Sequence, residues 1–128
     1  MNVVKASAKG VSISPRKVGV VAALVRGRSV TDAITILEHT PRRASTPVRK
    51  VIESARANAE NNHDLKPDTL VLSYINVTPG SRMKRWRAMA RGRANPYQLK
   101  SSHIFVEVTG EKRTVKKTPS KAEKKEAK

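Results

Sequence analysis

Seven cations fall between Arg82 and Lys100: Arg82, Lys84, Arg85, Arg87, Arg91, Arg93 and Lys100. No acid interrupts residues 80–101. Protein surfaces usually intersperse both signs of charge, so this stretch stands apart. Guanidinium and ammonium groups at such density suit one task, the neutralisation of phosphates with release of their condensed counterions. Two smaller pairs carry the same chemistry. Arg16-Lys17 follows Ser14-Pro15, and Arg42-Arg43 follows Thr40-Pro41. A hydroxyl residue and then proline reads as an N-cap and first helical position. Cations in a first turn oppose the helix dipole, and a bound phosphate would reverse that penalty.

Other chemistries find no residues. There is no Cys, which excludes disulfide scaffolds, thiolate metal sites and Cys nucleophiles. His39, His63 and His103 lack metal-ligand spacing and read as structural or surface residues. No phosphate-binding glycine loop, nucleophile elbow or zinc-protease motif occurs. The expectation is a protein with no catalytic residues, no metal and no cofactor, and not an enzyme.

Local pattern places these cations on elements. Val4, Ala6 and Ala8 alternate with Lys5, Ser7 and Lys9, and the phase slips at Gly10, which predicts a strand with a bulge there. Val18, Val21, Ala22 and Val25 mark one face of a helix, ended by Gly27 in a left-handed cap. Val30, Ala33, Ile34 and Leu37 predict a second helix. Val48, Val51, Ile52, Ala55 and Ala59 predict a third, kinked or shortened by Pro47 and ending near Asn61–Asp64. Leu70 to Val77 reads as a strand, as does the alternation of Ile104, Val106 and Val108. The predicted fold is α+β, a small antiparallel three-stranded sheet packed on three helices, with a long projecting basic β-hairpin over residues 80–101. Its turn falls near Ala90–Asn95, with Gly92 at positive φ. Two arms of roughly ten residues would reach on the order of 30 Å. Such a polar ribbon should order only against a polyanion. Trp86 and Tyr97 either stack on bases or pack on each other across the ribbon.

The chain has 128 residues and a formal net charge of +17. Residues 1–79 and 80–110 each carry a net +6, and residues 111–128 carry +5. That uneven excess calls for an anionic partner, nucleic acid or membrane. Aromatic residues make up 3 %, too few for a base-stacking sheet. Residues 1–110 read as a single RNA-binding globular domain that includes the hairpin. Residues 111–128, with one Val as their only large apolar side chain, read as a disordered basic C-terminal tail. The longest apolar run, Val18–Val25, is too short for a membrane span of about 20 residues, and no targeting segment is evident. A cytoplasmic location is the expectation.

The order of short segments resembles the universal L-twenty-two family, the twenty-second protein of the large ribosomal subunit, in its bacterial form. The matching pieces are Ile13-Ser14-Pro15-Arg16-Lys17, Val25-Arg26-Gly27, Thr40-Pro41, residues 54–63 (Ser-Ala-Arg-Ala-Asn-Ala-Glu-Asn-Asn-His), Met83-Lys84-Arg85, Ala90-Arg91-Gly92-Arg93-Ala94 and Ser102-His103-Ile104. The resemblance implies a structural constituent of the large subunit that binds and bridges 23S-type large-subunit ribosomal RNA. It implies neighbouring ribosomal proteins as partners, one copy per ribosome and a role in assembly. The hairpin would line the nascent-peptide exit tunnel through Met83, Lys84, Arg85, Trp86, Ala90, Arg91, Gly92 and Arg93, beside the passing nascent polypeptide. Through Ser102-His103-Ile104 it adds His103 to the RNA-binding residues Arg16, Lys17, Arg42, Arg43, Arg82, Lys84, Arg85, Arg87, Arg91, Arg93 and Lys100. Two departures stand out. Ala88-Met89 replaces a common Pro-Arg, and Asn95-Pro96-Tyr97-Gln98-Leu99 is less basic than usual.

The rival reading is a DNA-architectural protein whose basic β-arm inserts an apolar wedge into the minor groove. Such proteins bind as dimers, and the sequence leaves no spare apolar face for a second copy. A membrane-active protein would need a basic amphipathic helix, and the arm has no helical period.

Overall fold

The computed structural model describes residues 2–113. The elements run β1 (Asn2–Val11), α1 (Pro15–Val25), α2 (Val30–His39), α3 (Ser45–His63), β2 (Val71–Ala88) and β3 (Ala94–Gly110), with short 3-10 turns at Pro67–Thr69 and Ala90–Gly92. The sheet is antiparallel in the order β1-β3-β2, and the α+β expectation holds. The three helices cover one face of it. Val4 and Ala6 of β1, Leu72 and Ile75 of β2, and Ile104, Val106 and Val108 of β3 meet Val18, Val21, Val25, Val30, Leu37, Val48 and Ile52 in one buried cluster. The helical stripes named above are all buried except Ile34, which is half-buried.

The strand phases follow from bulges. Gly10 takes φ +72° where the β1–β3 register slips between Ala8 and Val11, as the sequence predicts. A second slip, between Leu72 and Tyr74, has no sequence signal. It moves the inward set of β2 from Leu72 to Ile75, and Ser73 donates its hydroxyl to the Glu107 carbonyl at 3.1 Å. The outer edge of β2 is occupied by the α1–α2 connection. Gly27 N–H donates to Leu72 O at 3.2 Å, Leu72 N–H to Arg28 O at 2.9 Å and Val30 N–H to Leu70 O at 3.0 Å. Pairing satisfies backbone groups that an exposed edge would leave open. Gly27 thus has the expected positive φ, but its N–H serves β2 rather than closing α1.

Three helix-end expectations need correction. Thr40-Pro41 does not start α3. Thr40 is the C-cap of α2, donating its hydroxyl to Ile36 O at 2.6 Å, and α3 begins at Ser45. Pro47 neither kinks α3 nor splits it, because it is the third residue of the helix. The first four N–H groups of a helix have no internal partner, so a missing one costs nothing there. Ser14 occupies the N-cap of α1, yet its side chain makes no capping bond. Ser29 does: its oxygen accepts from Asp32 N–H at 3.1 Å. Accordingly Ser29→Ala should cost about 1 kcal/mol in urea denaturation, whereas Ser14→Ala should stay within about 0.5 kcal/mol of wild type.

The body also extends past residue 110. Lys66 N–H donates to Glu111 O at 2.9 Å, Arg113 N–H donates to Asp64 O at 2.6 Å, and Leu65 bridges Lys112. Glu111 to Arg113 therefore belong to the fold, because backbone pairing needs no apolar side chain. The rest of the expected tail, from residue 114, lies outside the described residues.

Candidate nucleic-acid interface

β2 and β3 continue out of the sheet into the arm past a register shift between Pro79 and Arg82, and pair regularly from Arg82↔Lys100 to Ala88↔Ala94. At ~3.4 Å per residue that ladder spans on the order of 20 Å, with the turn beyond it. The arm's ladder is complete to Ala88↔Ala94, as an extension of the strands anchored in the core. Nothing is buried beneath it: residues 81–100 are all exposed. At the tip Met89 N–H donates to Arg93 O at 2.7 Å. Gly92 takes φ +69°, as expected, and Arg91 joins it at φ +59°. A left-handed non-glycine residue costs on the order of 1 kcal/mol.

Strand alternation divides the arm into two faces. Met83, Arg85 and Arg87 lie with Asn95, Tyr97 and Leu99 on one, and Arg82, Lys84, Trp86 and Ala88 with Ala94, Pro96, Gln98 and Lys100 on the other. Trp86 stands opposite Pro96, and Tyr97 opposite Arg85. The register therefore puts the two rings on opposite faces and rules out their mutual packing. Trp86 is 69 % exposed. Tyr97 receives the Arg87 guanidinium over its ring at 5.6 Å, which sets a cation beside an aromatic face.

The body adds a concave site. Ser12, Ile13, Ser14 and Lys17 face Arg42, Arg43 and Ala44 across a cleft of about 410 Å³. The α2–α3 connection holds its side in place: Ser45 N–H donates to Arg42 O at 2.9 Å and Ser45 hydroxyl to Thr40 O at 3.2 Å. The first turn of α1 opens on this cleft without a side-chain cap. Pro15 has no N–H, and those of Lys17 and Val18 donate to Ser14 O at 3.0 and 3.2 Å, so of that turn the Arg16 N–H is left for an anion. Arg42 and Arg43 thus reach the cleft from a loop, so the dipole argument applies to Arg16-Lys17 and not to them. Arg16 is exposed but does not line the cleft. Ser12 also borders a smaller hollow at the arm's root, with Ser81, Met83, Leu99, Lys100 and Ser101. Cleft and arm therefore form adjoining parts of one surface. No spacing in the sequence signals that contact.

Charge pairing elsewhere sharpens the contrast. Lys5 pairs with Glu107 at 3.3 Å, and Arg49 with Glu38 at 2.7 Å and Glu53 at 3.5 Å. Among the described residues, the cleft and arm cations have no acid within salt-bridge distance. His103 makes a bond within the protein: its Nδ1 accepts from Gly10 N–H at 2.9 Å. On α1, Val20 and Leu24 are 49 % and 46 % exposed, two side chains one turn apart, which fall short of a contiguous apolar patch. No group of three or more metal-ligating side chains occurs among the described residues. No helix there is long and apolar enough to cross a membrane.

Comparison with known proteins agrees with this geometry. Residues 6–109 match the family model described as ribosomal protein L22p/L17e. The chain is 50 % identical over 108 residues to the large ribosomal subunit protein uL22 of Oceanobacillus iheyensis, covering 84 % of this chain and 96 % of that protein. It is 48 % identical over 105 residues to the protein of the same name from Lactobacillus helveticus, covering 82 % and 90 %. With that of Desulfitobacterium hafniense it shares 46 % over 112 residues, covering 88 % and 98 %.

Proposed function

Since the chain belongs to the L22p/L17e family of ribosomal proteins, we propose that its arm and cleft bind and bridge large-subunit ribosomal RNA, and that the arm lines the nascent-peptide exit tunnel. The family is a structural, non-enzymatic component of the large ribosomal subunit. The acid-free arm carries the finer reading, because its cations have no acidic partner among the described residues and nothing apolar holds it to the body. Met83-Lys84-Arg85, Trp86 and Ala90-Arg91-Gly92-Arg93 form the distal part that a nascent chain would pass. One copy serves each ribosome, beside neighbouring ribosomal proteins.

Competition binding at several salt concentrations tests this reading. A transcript of large-subunit RNA should outcompete duplex DNA at physiological salt, with a steep linear dependence of log affinity on log salt. Equal affinity for both would favour the DNA-architectural rival. Sedimentation of cell lysate should place the chain with the large subunit. For the tunnel assignment, a photo-crosslinker at Arg91 should capture a stalled nascent chain, and one at Val20 should not. In the cleft, Lys17→Ala should weaken binding uniformly across RNA sequences and reduce the salt slope by about one, with no change in melting temperature.

A further inference from the structure

β3 meets an interruption in each neighbouring strand at the level where the arm begins. On β1, Lys9-Gly10 stands opposite the single residue His103, between the pairs Ala8↔Ile104 and Val11↔Ser102. On β2, Gly80-Ser81 stands opposite Ser101, between Pro79↔Ser102 and Arg82↔Lys100. Each is a bulge, which bends its strand and increases the local twist. The His103 ring touches both. Nδ1 accepts the Gly10 N–H at 2.9 Å. The other edge of the ring lies against Gly80. A Cβ added there would stand 3.1 Å from His103 Cε1, 3.3 Å from Nε2 and 2.5 Å from Ser101 Oγ. Ser101 in turn donates its hydroxyl to Ser81 O at 2.7 Å.

We propose that His103 is a positioning residue, which sets the direction in which the arm leaves the body by holding both bulges, and is not itself an RNA contact. The proposal rests on the reading that the arm enters RNA. Leverage makes the position matter. A tilt of about 10° at the root moves a point ~20 Å away by roughly 3.5 Å, more than a hydrogen bond tolerates. Gly10 and Gly80 serve the same device for different reasons, one through its positive φ and the other through close approach of the ring.

Paired spin labels test the geometry directly. The chain has no Cys, so Ala23→Cys on α1 and Gln98→Cys on the arm give two unique sites. His103→Ala should shift or broaden the distance distribution. His103→Asn, whose side-chain oxygen can stand where Nδ1 stands, should restore it. An unchanged distribution in His103→Ala overturns the proposal. Binding to a large-subunit RNA transcript separates positioning from contact. The variants are measured in the full chain and in a chain whose residues 84–98 are replaced by an Asn-Gly turn. His103→Ala should weaken the full chain about tenfold, the scale of one or two lost phosphate contacts, and leave the shortened chain unchanged. Equal weakening in both backgrounds identifies a direct contact and overturns the proposal. If wild type shows no preference for that transcript, the RNA reading fails, while the label distances still decide the role of His103.

Discussion

Replacing residues 84–98 by an Asn-Gly turn should reduce affinity for large-subunit RNA about a thousandfold at ~0.15 M salt and lower the salt slope by about four. The replacement removes Lys84, Arg85, Arg87, Arg91 and Arg93. Each such contact contributes roughly one released counterion, whose entropy gain scales with the logarithm of salt dilution. The body should be indifferent. Residues 81–100 are exposed throughout, and the core draws nothing from them. Asn-Gly suits the shortened ribbon because its twist matches that of a two-residue hairpin, and a shorter loop loses slightly less entropy on closure. Salt-titrated filter binding and thermal melting check the two halves separately. Reduced cooperativity of melting would show that the arm contributes to the fold, and an unchanged salt slope would show that its cations do not meet phosphates.

Ile52→Ala should destabilise the body by about 2–5 kcal/mol. Ile52 is fully buried in α3, the helix that packs on α2, β1 and β3. Truncation loses the transfer free energy of the removed carbons and leaves a cavity that flanking Val48, Ala55 and the sheet can only partly close. Small domains bury a lower fraction of their surface and sit in the lower part of the usual range of about 5–15 kcal/mol. The substitution should therefore lower the melting temperature by roughly 10 °C or more. Ile52→Val, which removes a single methylene, should cost about 1 kcal/mol. A loss below 1 kcal/mol for the alanine variant would contradict the central place of α3. Below its melting point Ile52→Ala should bind RNA like wild type, since it displaces neither the cleft nor the arm.

Parts of this molecule that repeat over short distances were legible in the chain. The buried stripes of α1, α2 and α3 follow helical spacing, and the alternation of β3 follows the pleat. The arm shows as a run of cations without acid, because charge needs no fold to be counted. Helix ends were less legible. Thr40-Pro41 has the composition of a start, yet the hydroxyl of Thr40 closes the helix before it. The same side chain can donate to a preceding carbonyl or accept from a following N–H, and only the path of the chain decides.

By itself, then, the sequence determined the core stripes, the acid-free arm and the family to which both belong. Tertiary structure alone decided which residues share a face or a cavity. Each bulge adds one residue to a strand and inverts its parity, so three bulges leave sequence distance a poor guide to facing. The bulges bring His103 to the glycines of both neighbouring strands, whereas the register of the arm parts Trp86 from Tyr97 and the approach of α1 to the α2–α3 connection brings Lys17 to Arg42 and Arg43. Pairing register is a property of two distant segments at once, and a local pattern carries no record of it.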